Sequence, residues 1–283
     1  MKTLPSGRRL LLLLAALFYT APVLPAEGPV APARLGSTVF KWEDFKVMPT
    51  GVGVRRDVVN LPTATLEKLE CHISTLNPGQ ISHPPHRHPQ EEFIILQAGT
   101  LDVFVNGRVQ RVGPGSFLFF ASNDLHNLTN AGDQPATYLV FNLTTGATHS
   151  APAEGAAVAS LPGMLGSTVM DWALLPGKAT KTGGRRELIN SPTITCKNLE
   201  GHVTTLNPGE VPHAPHHHAD EELVVVKEGL MAVTIKGVTA RAGPGSIFFY
   251  ASHDEHGMKN AGKTTATYYV IRYVTEATPA PIK

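Results

Sequence analysis

Residues His83–Gly99 read HPPHRHPQEEFIILQAG, three histidines and two glutamates running directly into an apolar segment. Side chains on an extended strand alternate faces, so His86, His88 and Glu92, which share one parity, can point to one side while Glu91 points to the other. Neutral imidazole nitrogens and one carboxylate are donors that suit a first-row divalent ion. The stretch returns at His213–Gly229 as HAPHHHADEELVVVKEG. His83, His86, His88, Glu91, Glu92 and Gly99 recur there as His213, His216, His218, Glu221, Glu222 and Gly229, each 130 positions later.

The offset of 130 holds without a gap from LGSTV (Leu35–Val39 and Leu165–Val169), through TLNPG (Thr75–Gly79 and Thr205–Gly209), to NAG (Asn130–Gly132 and Asn260–Gly262). One unit has been duplicated. The period is too long for a solenoid repeat and suits a domain of ~100–150 residues with its own core. Two similar domains are therefore expected, 35–150 and 165–279, joined over 151–164 by an Ala-, Pro- and Gly-rich linker without strand alternation.

Within each unit helical periodicity is scarce, and short apolar runs are punctuated by turn chemistry. Gly113-Pro114-Gly115 and Gly243-Pro244-Gly245 suit type II turns, and Asn106-Gly107 separates LDVFV from RVQRV as a hairpin does. Many short strands at this spacing mean a barrel or sandwich, with helix confined to a turn near Trp42–Phe45 and its counterpart. Beyond Gly115 the chain runs SFLFF and then ASNDLHNLTN, which brings His126 back from a second strand region; the other unit supplies His256 in YASHDEHGMKN.

These residues resemble the cupin superfamily. Its first motif (G, a short gap, HxH, three residues, E, six residues, G) is filled by Gly79, His86, His88, Glu92 and Gly99, and again by Gly209, His216, His218, Glu222 and Gly229. Its second motif is met by Gly115, His126 and Asn130, and by Gly245, His256 and Asn260. One extra residue lies between Gly79 and His86, and Ala121 and Asn123 stand where the motif has Pro and Gly, as do Ala251 and His253 in the second unit. The resemblance implies an all-β chain of two tandem jelly-roll β-barrels, a bicupin, with a metal near each barrel mouth. It assigns His86, His88, Glu92 and His126 as one ligand set and His216, His218, Glu222 and His256 as the other. One divalent transition metal per domain is implied, and manganese, iron, nickel, copper and zinc all suit such donors.

Three histidines and one carboxylate leave coordination positions open, which favours chemistry over structure. By strand parity Ile94 and Leu96, and Val224 and Val226, line the pocket beside the metal. An apolar pocket ending in a metal suits a small organic molecule that chelates through adjacent oxygens. The expected function is an exported metal-dependent enzyme acting on such a molecule, and among cupin activities the resemblance implies a dioxygenase-like one. The alternatives are a non-catalytic metal- and small-molecule-binding cupin and a manganese hydrolase of the ureidoglycine aminohydrolase type. No catalytic residue is assigned, although Glu92 or Glu222 could act as a base on leaving the metal. Elsewhere, His83 and His213 read as surface-loop residues and His72 and His202 as structural strand histidines. Arg55-Arg56 and Arg185-Arg186 read as rim ion pairs with at most one member facing inward, and His217 as exposed.

Lys2, Arg8 and Arg9 precede the apolar run Leu10–Phe18, followed by small residues and prolines to Ala26. This is the layout of a cleaved export signal over 1–26. Pro22 and Pro25 cut the run below the ~20 apolar residues of a spanning helix, so no stable membrane anchor is expected after cleavage, and the location is periplasmic or secreted. Cleavage removes three positive charges and no negative one, turning the formal +1 into −2. Such a near-neutral chain has no electrostatic footprint for nucleic acid. The partner is a small-molecule substrate, and a homo-oligomer is compatible with this reading. Cys71 and Cys196 are not repeat equivalents and read as buried free thiols.

Overall fold

The computed structural model describes residue 1 and residues 33–153 and 161–281. Beyond Met1 the expected export signal over 1–26 lies outside the described residues, as does 154–160 of the linker. The first repeat forms β1 (Thr38–Phe40), β2 (Met48–Thr50), β3 (Gly53–Leu61), β4 (Lys68–Leu76), β5 (Glu91–Ala98), β6 (Leu101–Val105), β7 (Arg108–Val112), β8 (Phe117–Phe120), β9 (His126–Asn130) and β10 (Ala136–Thr144). The second forms β11 (Thr168–Met170), β12 (Lys178–Thr180), β13 (Gly183–Ser191), β14 (Asn198–Leu206), β15 (Glu221–Glu228), β16 (Met231–Ile235), β17 (Val238–Ala242), β18 (Ile247–Tyr250), β19 (His256–Asn260) and β20 (Ala266–Val274). Among the described residues helix is limited to short 3-10 turns, such as Trp42–Asp44 and Trp172–Leu174. No helix among the described residues is long and apolar enough to cross a membrane.

The turn residues act as their types require. Asn106 and Gly107 both have positive φ, 47° and 86°, as a type I′ hairpin demands, and Gly115 at φ 96° completes a type II turn. A Cβ on Gly115 would lie 2.7 Å from the indole of Trp172, so glycine there also admits the aromatic ring of the other repeat.

Each repeat builds a seven-stranded and a three-stranded antiparallel sheet, and one strand of the larger sheet is borrowed. The order is β11-β8-β5-β10-β4-β3-β2 in the first and β1-β18-β15-β20-β14-β13-β12 in the second, with β7-β6-β9 and β17-β16-β19 as the smaller sheets. Val169 of β11 thus lies opposite Leu118, and Val39 of β1 opposite Phe248. The opening strand of each repeat edges the other's sheet.

Three apolar cores follow from the alternation of faces. Ile94, Leu96, Leu118, Phe120 and Val140 fill the first barrel with Leu101 and Val103 of the smaller sheet, and Val224, Val226, Phe248 and Val270 fill the second with Met231 and Val233. The opposite faces meet between the barrels, where Phe93, Ile95, Phe119 and Phe141 join Leu223, Val225, Phe249 and Ile271 in one cluster. β5 and β15 are therefore covered on both sides, which is why EEFIIL and EELVVV read as continuous rather than alternating apolar runs. Each fully buried side chain of this kind contributes roughly 1.5–3 kcal/mol. Cys71 and Cys196 are both buried and free.

Candidate metal centres

His86 and His88 lie in the loop entering β5, Glu92 on β5, and His126 at the start of β9. Backbone hydrogen bonds fix their register. His86 N donates to His126 O at 3.2 Å and His126 N to His86 O at 3.1 Å, an isolated bridge that holds two ligands face to face. Asn123 N donates to His88 O at 2.8 Å. Asn123 and His253, which replace the glycine of the second motif, hold the left-handed conformation that glycine would, at φ 61° and 63°. Asparagine tolerates this region well; the histidine is the costlier occupant.

The histidine tautomers are set by what the rings touch. A backbone carbonyl can only accept, so Nδ1 must carry the hydrogen in His88 (to Gln90 O, 3.0 Å), His126 (to Asp124 O, 2.8 Å), His218 (to Asp220 O, 2.8 Å) and His256 (to Asp254 O, 2.8 Å). In each neutral ring Nε2 keeps the lone pair a metal needs. Nε2 of His126 and of His256 is buried without any hydrogen-bond partner. Burying such an atom is costly unless something else engages it. Donor atoms of His86, His88 and His126 all lie within 4.8 Å of one another, and so do those of His216, His218 and His256. The carboxylates close each set. Glu92 is 3.4 Å from His88 Nε2 and 3.9 Å from His126 Nε2, and Glu222 is 3.2 Å from His218 Nε2. The residues fit a divalent ion at both centres. Phe120 and Tyr250 stack on His126 and His256, with ring centroids 4.3 and 4.0 Å apart, and hold the fourth ligand in place.

The electrostatics agree. Burial works against charge on Glu92, but the His88 ring, which donates from Nε2 when doubly protonated, and the neighbouring imidazoles outweigh it and hold the carboxyl below its ordinary value. Burial lowers His126 to about 4. Burial alone would also lower His218, but Asp220 and Glu222 outweigh it and raise the ring to about 9. These carboxylates favour positive charge on His218, and a divalent cation supplies it once the proton has left.

Above each ligand set opens a cavity, ≈ 550 Å³ in the first barrel and ≈ 710 Å³ in the second. Ile94 lines the first cavity, whereas Leu96, Val224 and Val226 are packed into the barrel interiors, where the smaller sheet closes against them. The walls combine polar and apolar groups. His72 and Glu70 line the first, joined at 2.8 Å, and His202 and Glu200 the second, joined at 2.7 Å. Arg55 and Arg185 reach the same glutamates at 3.0 and 3.5 Å from the rim. Their neighbours Arg56 and Arg186 turn away and cover Trp42 and Trp172. His83 and His213 are exposed at the mouths, their rings 3.9 and 4.3 Å from those of His86 and His216, and His217 is exposed. The centres also differ behind the second histidine. Asp220, clamped by Arg272 at 2.6 and 3.0 Å, lies 3.3 Å from His218 Nδ1, where the first repeat has Gln90 and Asn142.

Strand parity turns Glu91 and Glu221 away from the metal, and both are fully buried between the barrels. Glu91 accepts from the Thr193 and Thr195 hydroxyls at 2.5 and 2.6 Å and from Ile194 N at 3.0 Å; Glu221 accepts from the Thr63 and Thr65 hydroxyls, both at 2.6 Å, and from Ala64 N at 3.0 Å. The T-x-T pairs and the E-x-H pairs of Glu70/His72 and Glu200/His202 also recur at the offset of 130. That recurrence was the available signal for both arrangements.

The sequence matches the Cupin domain family twice, over residues 72–142 and 202–272. No curated protein matches it significantly. Among solved structures, AerE from Microcystis aeruginosa superposes with a TM-score of 0.61 at 13% identity, over 81% of this chain and 97% of that one. A tryptophan-to-tyrosine variant of Bacillus subtilis oxalate decarboxylase superposes at 0.63 and 16% identity, over 86% and 78%. Another structure of that decarboxylase, described for its Mn(II) centres, gives 0.62 and 15%, over 89% and 80%. At these identities the likeness is one of fold. With both family matches, two barrels and a His-His-Glu-His set in each, the chain belongs to the cupin family and is a bicupin.

Proposed function

We propose that this bicupin is an exported metal-dependent enzyme that acts on a small organic molecule chelating through oxygen, with one centre per barrel. The observation that carries this reading is the convergence of three imidazole nitrogens beside a carboxylate at a cavity of several hundred Å³, lined by His86, His88, Glu92 and His126 in the first barrel and by His216 and Glu222 in the second. When bound, a divalent ion would supply Lewis acidity toward substrate oxygens. His86, His88 and Glu92 would hold it from one strand and its loop and His126 from another, with the corresponding four residues in the second barrel. Manganese is one candidate, supported by the Mn(II) centres described for the decarboxylase relative. Arg55 at the rim of one cavity, and Arg185 and Arg272 in the other, offer charge-assisted hydrogen bonds to a polar group of such a substrate.

A dioxygenase-like course is the finer part of the proposal, resting on a ligand set that leaves positions open beside Ile94 and Val140. Substrate disappearance, measured with and without oxygen on protein of known metal content against small diketones, phenols and organic acids, tests it. The expected outcome is oxygen uptake in step with substrate loss, abolished by metal removal. Unchanged turnover under nitrogen would instead indicate hydrolase or lyase chemistry, and a ligand bound but recovered unaltered would indicate a binding protein. Export rests on Lys2, Arg8 and Arg9 ahead of the Leu10–Phe18 run. A mature N-terminus following Ala26 in protein recovered outside the cytoplasm is the expected finding.

A further inference from the structure

Each cavity holds a second imidazole that the metal ligand set does not use. His72 and His202 line the same cavities as the ligands, with side chains 15% and 13% exposed. Nδ1 of His72 is 2.8 Å from Glu70 Oε1 and Nδ1 of His202 is 2.7 Å from Glu200 Oε1. An ionised carboxylate only accepts, so Nδ1 carries the hydrogen and Nε2 keeps the lone pair. Glu70 is itself held, accepting from Arg55 Nη2 at 3.0 Å and from Asn142 Nδ2 at 2.9 Å. A base whose orientation is fixed by a carboxylate that is fixed in turn is the arrangement of a general base and its orienting group.

The register places this imidazole on the same inward face of the sheet as the ligand Glu92, two strands away. On the inward face of the large sheet one row runs Glu70–Asn142–Glu92 and the next His72–Val140–Ile94, across β4, β10 and β5. The second barrel repeats the rows as Glu200–Arg272–Glu222 and His202–Val270–Val224 across β14, β20 and β15. With strands ~4.8 Å apart, His72 stands about 10 Å along the sheet from Ile94, and the cavity it shares with His86, His88, Glu92 and His126, of ≈ 550 Å³, has room for a small molecule. The arrangement recurs although the residue between its members is Cys71 in one repeat and Gly201 in the other, so packing of that strand does not require it.

We propose that His72 and His202 are the proton acceptors of the two cavities, each removing a proton from carbon beside a carbonyl group of an oxygen-chelating substrate, with Glu70 and Glu200 as their positioning residues. This rests on the metal-enzyme reading above. In the step the substrate C–H bond breaks, its proton passes to Nε2, and the electron pair moves onto the neighbouring carbonyl oxygen. The imidazolium so formed is stabilised by the carboxylate at its Nδ1. Return of the proton, or exchange with solvent, restores the base without an oxidant or reductant.

The probes are pyruvate and acetylacetone. Their relaxation is measured on Mn(II)-loaded full-length protein to register binding at the metal, and uptake of deuterium into their C–H positions is followed by NMR in D2O on the Zn(II)-loaded protein. Wild type is expected to exchange at least one of them well above the rate with Zn(II) in buffer. His72→Gln with His202→Gln should lower that rate ~10²–10⁴-fold, while two metal equivalents and the relaxation effect persist. Each single variant should keep the exchange of the untouched barrel, which guards against a misfolded double variant. Glu70→Gln with Glu200→Gln should lower kcat and leave KM unchanged. A double histidine variant that exchanges as wild type does, or a wild type that binds the probes without exchanging either, overturns the assignment. Failure to bind metal, or binding of metal without any relaxation effect on the probes, would overturn the metal-enzyme reading as well.

Discussion

At the scale of single residues, Glu91 and Glu92 are chemically identical neighbours with separate tasks. Glu92 is within 3.4 Å of His88 Nε2 on the cavity side, and Glu91 is cradled by threonines on the other. Glu92→Gln should therefore cut metal affinity in the first barrel while Glu91→Gln leaves it nearly unchanged. His88→Ala should lower stoichiometry from two ions to one, as should His218→Ala, all read by metal analysis after dialysis. Asp220 adds a carboxylate behind His218 that the first barrel lacks. Removing such an outer partner typically costs 10–100-fold in affinity, so Asp220→Asn should weaken the second centre by about that factor in a chelator competition. Glu70 supplies the pH prediction. Burial would raise its carboxyl, but hydrogen bonds from His72 and Asn142 and the charge of Arg55 outweigh this and hold it below its ordinary 4.5. A depressed carboxyl stabilises the fold above its unfolded value, and that stability is lost as pH falls through the folded value. Denaturation midpoints of the wild type should thus fall more steeply than those of Glu70→Gln as the pH drops below the ordinary carboxyl value of 4.5.

At the scale of elements, β5 shows what periodicity can and cannot specify. The HxH-x3-E spacing brought His86, His88 and Glu92 to one centre, although not by strand alternation, since β5 begins at Glu91 and both histidines lie in the loop before it; the N-G and G-P-G turns marked where strands end, and both signals were legible because they are local. What covers the opposite face was not, since parity says that Glu91, Phe93 and Ile95 share a side but not that the second barrel lies against it. Depth along the strand was equally hidden. Ile94 lines the cavity, while Leu96, of the same parity, is closed off in the barrel core. The buried cradle gives a stability prediction for this face. Thr193 donates to Glu91 at 2.5 Å with both groups shielded from water, so Thr193→Val removes a hydrogen bond to a charge and should lower unfolding stability by about 1.5–3 kcal/mol. Metal stoichiometry should stay at two, because the change is on the far side of β5. A loss of metal with no loss in the denaturation midpoint would show that the two faces are not separable.

At the scale of the whole molecule, the exchanged strands make each centre depend on the other repeat. Ser167, which precedes β11 in the second repeat, accepts from Ala121 N at 2.9 Å and donates to Asp124 Oδ2 at 2.5 Å in the first. Ser37 does the same for Ala251 N and Asp254 Oδ2, at 2.8 and 2.7 Å. Asp124 and Asp254 are the residues whose backbone carbonyls orient His126 and His256. The loop before the last ligand, lacking the usual proline and glycine, is thus fastened by a serine from the other repeat. Ser167→Ala should consequently loosen the first barrel's centre and Ser37→Ala the second's, by roughly tenfold in affinity, the lower end of what outer partners contribute. The two centres can be read separately by placing Ser167→Ala in a His218→Ala background, where only the first binds, and in a His88→Ala background, where only the second does. The crossed pattern is the discriminating result. If the loss instead falls on the barrel in whose sequence the serine lies, the exchanged segments serve packing alone and do not position the ligands.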